Sequence, residues 1–334
     1  MNTSVLVSRP ALRAYWHAVA RVTDLRPGPH AVTLLGEPLV LWRDPDGQVQ
    51  AAPDRCPHRE APLSEGRVLD GVLECAYHGW CFGAGGRCDR VPSATEGVPV
   101  PPRAHLPTHL AVERYGLVWV CLGDPVAGIP DIAQDDDPLF RRINTEIQLW
   151  TTSATRMVDN FLDISHFPYV HVGTFGRAQD TVVPRIEMGE LDASFVGYAY
   201  EVDVNNTELG ATATGMAAKV LTRRMTTGFN LPFTVRSTIH YETGLDHIIL
   251  LISTPVDDVT SLFTFVVWRN DDFSVPSEEV IVLDRAIGAE DKRMLEKLPG
   301  VLPLDATTLV SVQADKASVE WRRRLIGLLA TPVA

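Results

Sequence analysis

The sequence is short of basic residues, cysteine and long apolar runs, and each shortage excludes a class of protein. Lys and Arg total 30 against 42 Asp and Glu, and the net charge of −12 argues against nucleic acid or an anionic membrane as the main partner. The longest apolar stretches, such as 248–253 and 262–268, are far too short to span a bilayer. Five cysteines, an odd number, argue against a full disulfide framework. The first residues show no basic segment followed by an apolar run, so we expect no signal peptide and a cytoplasmic location.

The secondary-structure pattern changes part-way along the chain. Up to residue 122, short apolar runs alternate with Gly- and Pro-containing turns, which predicts a small antiparallel β domain. Residues 123–142 are rich in Pro, Gly and Asp and mark a junction. Beyond it, a predicted helix over 157–167 is followed by five strands and by helices over 278–298 and 317–329. We therefore predict an α+β protein with domains 1–125 and 126–334, the second an antiparallel sheet packed on C-terminal helices.

Two short Cys–His pairs stand in the β domain. Cys56-Pro-His58 and Cys75-Ala-Tyr-His78 each place two ligands on one loop, with residues 59–74 between them. Two thiolates and two imidazoles make a four-ligand metal site, for which a structural zinc is one interpretation. The runs Cys-Pro-His-Arg and Cys-x-x-His-Gly-Trp resemble instead the Rieske [2Fe–2S] domain of ring-type oxygenases, in which two Cys hold one iron and two His hold the other.

A second group of acids and histidines follows the junction, between Asp159 and His171. At about 100° per residue, Asp159, Asp163 and His166 share one helical face, which by itself indicates no more than a solvated polar surface. Pro168 is expected to end or kink the helix near residue 167, so that His171 turns to face the same point as His166. Two imidazoles and one anionic oxygen ligand make the 2-His-1-carboxylate site of non-haem Fe(II) enzymes.

The carboxylate ligand has to come from another segment. The apolar stripe of the predicted helix 278–298 consists of Val280, Leu283, Ile287, Met294 and Leu298. Asp291 lies close to the centre of this stripe, where an acid is costly unless a metal or a partner satisfies it. Asp284 at the edge of the stripe and Glu290 somewhat further away are alternatives that periodicity leaves open.

Along nearly all its length the chain resembles the α subunit of Rieske non-haem iron oxygenases. The phrase Asp-Asn-Phe-x-Asp-x-Ser-His-Phe-x-x-Val-His-x-Gly is similar to the catalytic motif of purine-alkaloid N-demethylases and saxitoxin-type hydroxylases, and residues 113–120, 289–292 and 314–322 also match that subgroup. The match of Ala-Glu-Asp-Lys at 289–292 implies that Asp291 is the third iron ligand. The resemblance also implies a helix-grip catalytic domain, one [2Fe–2S] cluster and one mononuclear Fe(II) per chain.

The same resemblance implies how electrons reach the iron. In the family, the cluster of one subunit lies close to the mononuclear iron of the next in a head-to-tail ring, here expected to be a homotrimer, and an Asp bridges the two. By motif position that Asp is Asp163, facing His78 of the partner subunit, and Asn160 matches a residue near the iron. Asp163 could also orient His166 in its own chain. Because the chain has no Gly-x-Gly-x-x-Gly after a strand, NAD(P)H is expected to act only through a separate flavin reductase, a ferredoxin or both.

The expected reaction uses O2 to oxidise a small organic molecule. We expect a monooxygenase that hydroxylates or oxidatively demethylates an aromatic, heterocyclic or natural-product substrate. One alternative is a cis-dihydroxylating ring dioxygenase, although such enzymes usually place the Asn and the bridging Asp one residue further apart than Asn160 and Asp163. The other is a non-enzymatic electron carrier, which would leave His166, His171 and Asp291 without a purpose. Strand residues of the expected pocket region, whose directions stay open, are Phe229, Asn230, Arg236, His240 and Trp268.

Overall fold

The computed structural model describes residues 6–95, 97–305 and 308–330, so the ends of the two predicted domains, 1–5 and 331–334, lie outside the described residues. The chain divides into two compact units between Gly128 and Ile129. This point falls inside the stretch rich in Pro, Gly and Asp. In the described ranges no helix is both long and apolar enough to cross a membrane.

The described part of the first unit consists of short strands in three antiparallel sheets. The strands are β1 His17–Arg21, β2 His30–Leu34, β3 Glu37–Arg43, β4 Val49–Pro53, β5 Arg67–Leu69, β6 Val72–Glu74, β7 Cys81–Phe82, β8 Cys88–Arg90, β9 Leu110–Arg114 and β10 Leu117–Cys121. Their orders are β1-β10-β9, β2-β3-β4 and β5-β6-β7-β8. Trp42, Leu73 and Phe82 belong to the core that also buries Cys56 and Cys75. The predicted antiparallel β domain is confirmed.

The turn between β3 and β4 shows how local sequence sets these hairpins. The Asp44 side chain accepts hydrogen bonds from the amides of Asp46 and Gln48 at 3.0 and 2.9 Å. Gly47 completes the turn with a φ of 78°, a value that side chains rarely adopt.

The second unit combines one large antiparallel sheet with helices. The strands are β11 Arg141–Asn144, β12 Gln148–Trp150, β13 Gly189–Glu190, β14 Val196–Asn205, β15 Val220–Asn230, β16 Thr234–His240, β17 Asp246–Pro255 and β18 Ser261–Arg269. The helices are α1 Ala154–Leu162, α2 Phe167–Val170, α3 Glu208–Thr214, α4 Ser277–Val280, α5 Val282–Leu295 and α6 Lys316–Ala330. The sheet order is β11-β18-β17-β16-β15-β14-β13, and β12 also pairs with β18.

The sheet of the second unit packs on helices from both sides of the sequence. Helix α1 lies against β15, β16 and β17 and contacts α5 and α6. Met157 of α1, Phe263 of β18 and Leu295 of α5 share one buried cluster. The predicted α+β class, with an antiparallel sheet packed on C-terminal helices, is confirmed.

Two helix predictions need correction. The helix expected over 157–167 ends at Leu162, because Asp163 has an extended backbone and its Oδ1 accepts the amide of Ser165 at 2.8 Å in place of a helical bond. The helix expected over 278–298 is two helices, interrupted at Ile281.

The predicted apolar stripe of the second of these helices is also wrong in part. Met294 and Leu298 are 43% and 38% exposed. In the last two turns of α5 the buried face carries Glu290, Asp291 and Leu295 instead.

Candidate metal centres and cavity

The two Cys–His loops of the first unit repeat one backbone turn. In each, the cysteine amide donates to the carbonyl of the fifth residue on, and the cysteine carbonyl accepts from the amide of the fourth. That fourth residue, Glu60 in one loop and Gly79 in the other, has a positive φ of 61° or 67°. The repeated turn therefore presents Cys56 and Cys75 in equivalent ways.

The side chains of these loops lie together. Cys56 and Cys75 are buried, free thiols, and the ring centroids of His58 and His78 are 4.4 Å apart. Burial raises the pKa of the Cys56 thiol to about 11, and contact with Cys75 contributes to the increase. The ring of His58 stacks on Trp80, and its Nδ1 is buried without a hydrogen-bond partner in the described part of the chain. Buried thiols and an unsatisfied imidazole nitrogen fit a bound metal cluster.

Three side chains of the second unit converge at their ligand atoms. Nε2 of His166 lies 3.1 Å from Nε2 of His171, and Oδ1 of Asp291 lies 3.5 and 3.3 Å from these two nitrogens. His166 precedes α2 and His171 follows it, while Asp291 lies on α5. Within the described ranges, no other three or more His, Cys, Asp or Glu residues bring their ligand atoms within 4.8 Å of one another.

Carboxylates hold the far side of both histidine rings. Nδ1 of His166 lies 3.2 Å from Oδ2 of Asp163, and Nδ1 of His171 lies 2.9 Å from Oε2 of Glu290. When Nδ1–H donates to a carboxylate, each ring presents the lone pair of Nε2 to the other ring and to Asp291. Two lone pairs and a carboxylate oxygen at this spacing fit a cation between them.

The electrostatics of this group favour positive charge. Burial lowers the pKa of His166, but hydrogen bonds with Asp163 and Asp291 outweigh it and raise that pKa to about 9. Burial raises the pKa of Asp291, but hydrogen bonds with His166 and His171 outweigh it and hold that pKa well below its usual range. Asn160 donates Nδ2 to Oδ1 of Asp291 at 2.9 Å. The site therefore attracts a cation, either a proton or a divalent metal ion that replaces it.

The predicted helical face of Asp159, Asp163 and His166 is not present, because α1 ends before Asp163. Asp159 lies on α1 with its Oδ1 3.7 Å from Nε of Arg322. Asp163 reaches His166 through the turn that follows the helix. Of the acids that periodicity left open, Asp284 lies 3.4 Å from Nε2 of His247, away from the histidine pair.

A cavity of about 110 Å³ adjoins the three converging side chains. One water molecule needs roughly 10–15 Å³ of such space. The cavity therefore suits several waters or one compact organic molecule. Its apolar wall includes Ile249, Leu251 and Phe263, and a polar wall includes Arg223, His247 and Asp284.

The strand residues singled out from the sequence are not among those that line the cavity. Arg236 pairs with Asp192, and Trp268 donates Nε1 to Asp135 at 2.8 Å. The sequence analysis missed Arg223 and His247, which line the cavity beside apolar residues of their strands, Met225 on β15 and Ile249 on β17. A polar residue in a strand indicates a functional position only when the strand register shows that it lies on the buried face.

Comparison with known protein families decides the identity of both units. Residues 15–109 match the Rieske [2Fe-2S] domain, and residues 150–331, more than half of the chain, match the vanillate O-demethylase oxygenase C-terminal domain. The chain belongs to the Rieske oxygenases. This Rieske oxygenase is 31% identical to the methylxanthine N1-demethylase of Pseudomonas putida, over 95% of this chain and 89% of the relative.

Solved structures give the same result for the fold. The Pseudomonas putida enzyme NdmA with caffeine has a TM-score of 0.84 at 30% identity, covering 97% of this chain and 92% of that one. A dicamba monooxygenase bound to dicamba has a TM-score of 0.78 at 26% identity, covering 95% and 97%. The expected family and enzyme class are confirmed: this Rieske oxygenase is an oxidoreductase with a Rieske [2Fe–2S] domain.

Proposed function

We propose that this Rieske oxygenase is the terminal component of a monooxygenase system that hydroxylates or oxidatively demethylates a small organic substrate. The observation that carries the proposal is the convergence of His166, His171 and Asp291 beside a largely apolar cavity. A 2-His-1-carboxylate site with open positions is typical of non-haem Fe(II) oxygenases. The names of its relatives, methylxanthine N1-demethylase and dicamba O-demethylase, support demethylation of a small substrate.

Each cofactor has a fitting set of residues. The [2Fe–2S] cluster would be held by Cys56, His58, Cys75 and His78, whose buried thiols and unsatisfied His58 nitrogen suit it. The mononuclear iron would be held by His166, His171 and Asp291. When bound, the cluster supplies electrons one at a time and the Fe(II) activates O2, so that two electrons and two protons convert R–H and O2 into R–OH and water.

The residues around the iron site hold the ligands in place. Asp163 and Glu290 fix the ring orientations of His166 and His171, and Asn160 fixes the carboxylate of Asp291. The apolar wall of the cavity keeps a substrate carbon, rather than bulk water, beside the site. If the oxidised carbon is an N- or O-methyl group, the hydroxylated product collapses and releases formaldehyde.

Electron delivery is proposed to involve other chains. The side chain of Asp163 is 24% exposed and His78 is exposed, so Asp163 is available to contact His78 of the partner subunit in a head-to-tail homotrimer. The sequence has no dinucleotide-binding glycine motif. We therefore assign NAD(P)H oxidation to a separate flavin reductase, a ferredoxin or both, which pass electrons to the cluster.

Domain roles and location follow from the same proposal. Residues 1–125 would carry the cluster and residues 126–334 the mononuclear iron and the substrate. All five cysteines are free, which suits a reducing compartment, and we propose a cytoplasmic location.

The decisive experiment compares His166→Ala with His240→Ala. His240 is an exposed histidine of the same unit that pairs with Asp246. Wild type and His240→Ala should hold about three irons per chain, two in the cluster and one mononuclear. His166→Ala should lose the mononuclear iron and turnover while the cluster spectrum persists. Undiminished turnover in His166→Ala would contradict the iron assignment.

Product analysis separates the remaining alternatives. Formaldehyde release indicates demethylation, a stable alcohol indicates hydroxylation, and a cis-diol indicates a ring dioxygenase. Turnover of any of these kinds excludes a simple electron carrier.

A further inference from the structure

We infer that the substrate carries an anionic oxygen group, a carboxylate or its equivalent, which Arg223 binds at the polar wall of the cavity. This inference rests on the proposed function and specifies its substrate class. The polar wall is defined by Arg223 on β15, His247 on β17 and Asp284 on α5.

Strand β15 turns Arg223 inward. Along the first half of this strand, Leu221, Arg223 and Met225 are buried, while Thr222 and Arg224 are exposed. Arg223 is only 4% exposed. Arg223 lies between two apolar residues on the inner face of the strand. It therefore places a charge at a position where the alternation of the strand predicts an aliphatic side chain.

Two aromatic rings of the cavity flank the guanidinium of Arg223. Its Cζ lies 5.1 Å from the ring centroid of Phe175 and 5.8 Å from that of Tyr241. Both rings line the cavity, so the guanidinium lies at the cavity wall. Contacts with aromatic faces offset only part of the cost of removing a charge from water.

The guanidinium of Arg223 makes no direct ion pair in the described part of the chain, although Asp284 lies near enough to interact with its charge. Its Nε is buried without a hydrogen bond, and no described carboxylate makes an ion pair with it. Buried charges are ordinarily paired, so an unpaired arginine at a cavity wall indicates that a ligand supplies the pair.

Arg269, the other buried arginine of the cavity, is a contrasting case. Its Nε lies 3.0 Å from Oδ2 of Asp271, one Nη donates to the carbonyl of Ala213, and the other donates to Nδ1 of His247 at 2.6 Å. Asp271 also pairs with Arg141 at 2.7 Å, so its charge is shared between two arginines. Among the described residues, Arg223 has no direct ion pair of this kind.

Arg269 also makes His247 a donor toward the cavity. Since Nδ1 of His247 accepts from Arg269, the ring hydrogen lies on Nε2. This Nε2 and the nearby Oδ2 of Asp284 are both buried without a hydrogen-bond partner in the described ranges. Burial lowers the pKa of His247 well below its usual value, as do the charges of Arg269 and Arg223, so the ring is neutral.

Asp284 can complete the set of donors. Burial raises the pKa of its carboxyl to about 7, against the opposing effect of Arg269 and Arg223. A protonated Asp284, Nε2–H of His247 and the guanidinium of Arg223 are all donors. One oxyanion satisfies the three together, which a neutral alkyl or aryl group does not.

The helix spacing indicates the size of the substrate. Asp284 and Asp291 lie on α5 two turns apart, about 10 Å at 1.5 Å per residue. An anion at Asp284 and a reacting carbon beside Asp291 are therefore separated by roughly the length of one substituted ring. The favoured class is a compact aromatic acid with its oxidised carbon across the ring from the acid group.

Direct binding tests the inference without turnover. The probes are 2-, 3- and 4-methoxybenzoate and the matching neutral methoxybenzamides, titrated calorimetrically into the protein loaded with cluster and iron. At least one acid should bind wild type roughly tenfold or more tightly than its amide. Arg223→Gln should weaken acid binding by roughly tenfold or more and change amide binding little.

Matched variants isolate the role of position 223. Arg224→Gln removes the same charge from the same strand, but the Arg224 side chain is 73% exposed and pairs with Glu201, so acid binding should not change. Arg223→Lys keeps the charge and should keep part of the acid preference. It also serves if Arg223→Gln fails to fold, as judged by the cluster spectrum and thermal melting.

The failures of the two proposals are distinguishable. If no acid binds more tightly than its amide, or if Arg224→Gln weakens acid binding as much as Arg223→Gln, the anion subsite is overturned. If Arg223→Lys and Arg223→Gln both keep the full preference, it is overturned as well. Reductant-driven O2 consumption by the loaded wild type, measured in parallel, tests the oxygenase function alone and does not depend on Arg223.

Discussion

Glu290 and Asp291, neighbours on α5, hold the two ends of one imidazole: Oε2 of Glu290 lies 2.9 Å from Nδ1 of His171, and Oδ1 of Asp291 lies 3.3 Å from its Nε2. Thr174 donates a further hydrogen bond to Glu290 at 2.7 Å. The space beside Glu290 is filled by backbone, since a Cβ on Gly173 would lie 2.7 Å from Oε1. Glu290 is thus a rigid positioning residue for His171.

Replacing Glu290 by Gln should weaken Fe(II) binding by roughly 10- to 100-fold. The amide keeps the size of the side chain but loses the charge that holds the Nδ1–H tautomer of His171. The measurement is iron retained during dialysis against a competing chelator, with the cluster spectrum as a check on folding. Glu279→Gln, an exposed acid in α4, is the control, and equal iron retention in both variants would refute the role of Glu290.

Asp163→Asn should lower turnover per bound mononuclear iron by at least roughly tenfold, if Asp163 carries the link to the partner cluster. Asn keeps the oxygen that accepts the Ser165 amide, so the turn should persist. Asp159→Asn on α1 is the control and should leave turnover per iron unchanged.

Turnover per iron separates the two roles considered for Asp163. A residue that only orients His166 would lower iron content and leave turnover per bound iron at the wild-type value. That outcome would contradict the proposed electron path while leaving the ligand assignment intact.

Most of the candidate ligand residues could be proposed from the sequence because they lie in short, dense motifs. Cys56-Pro-His58 and the segment from Asp159 to His171 each bring several ligands into one loop or turn. The structure brings His166, His171 and Asp291 together although the predicted helix through Asp163 was wrong. Asp163 can either continue a helix or accept the amide of Ser165, and periodicity alone does not distinguish the two.

The cavity could not be predicted in the same way. Arg223 and Arg224 are chemically identical neighbours, and a shift of one residue in strand register would exchange the buried and the exposed one. The roles of Glu290 and Asp291 could not be predicted either. These adjacent residues of α5 are both buried, and only their contacts show what each one does. Strand register and helix packing depend on contacts between distant parts of the chain. They cannot be read from the local pattern of a single sequence.

Gly71→Ala should destabilise the first unit far more than Gly47→Ala. Both glycines have nearly the same φ, 79° and 78°. A Cβ on Gly71 would lie 2.2 Å from the backbone nitrogen of Pro45, whereas nothing lies within 4 Å of one on Gly47. The second change therefore measures the backbone cost alone, about 1 kcal/mol, and the first adds a clash with main chain. Denaturant unfolding followed by the cluster absorbance checks this, and equal losses would show that the turn at Gly71 relaxes freely.

Asp284→Asn should stabilise the second unit more at pH 8 than at pH 5.5. The folded-state pKa of Asp284, about 7, exceeds its ordinary value of 3.8, so the folded protein binds more protons between these values and wild-type stability falls as pH rises through them. Between pH 5.5 and pH 8 this loss corresponds to roughly 2 kcal/mol as an upper estimate, and it is absent from the variant. Among the groups that face Asp284, the lowered pKa of His247 keeps its ring neutral in this window. Guanidinium groups in general are not deprotonated in proteins. Unfolding of wild type, Asp284→Asn and the control Glu279→Gln at the two pH values gives the test, and a stability difference for Asp284→Asn that is independent of pH would show that Asp284 is ionised throughout.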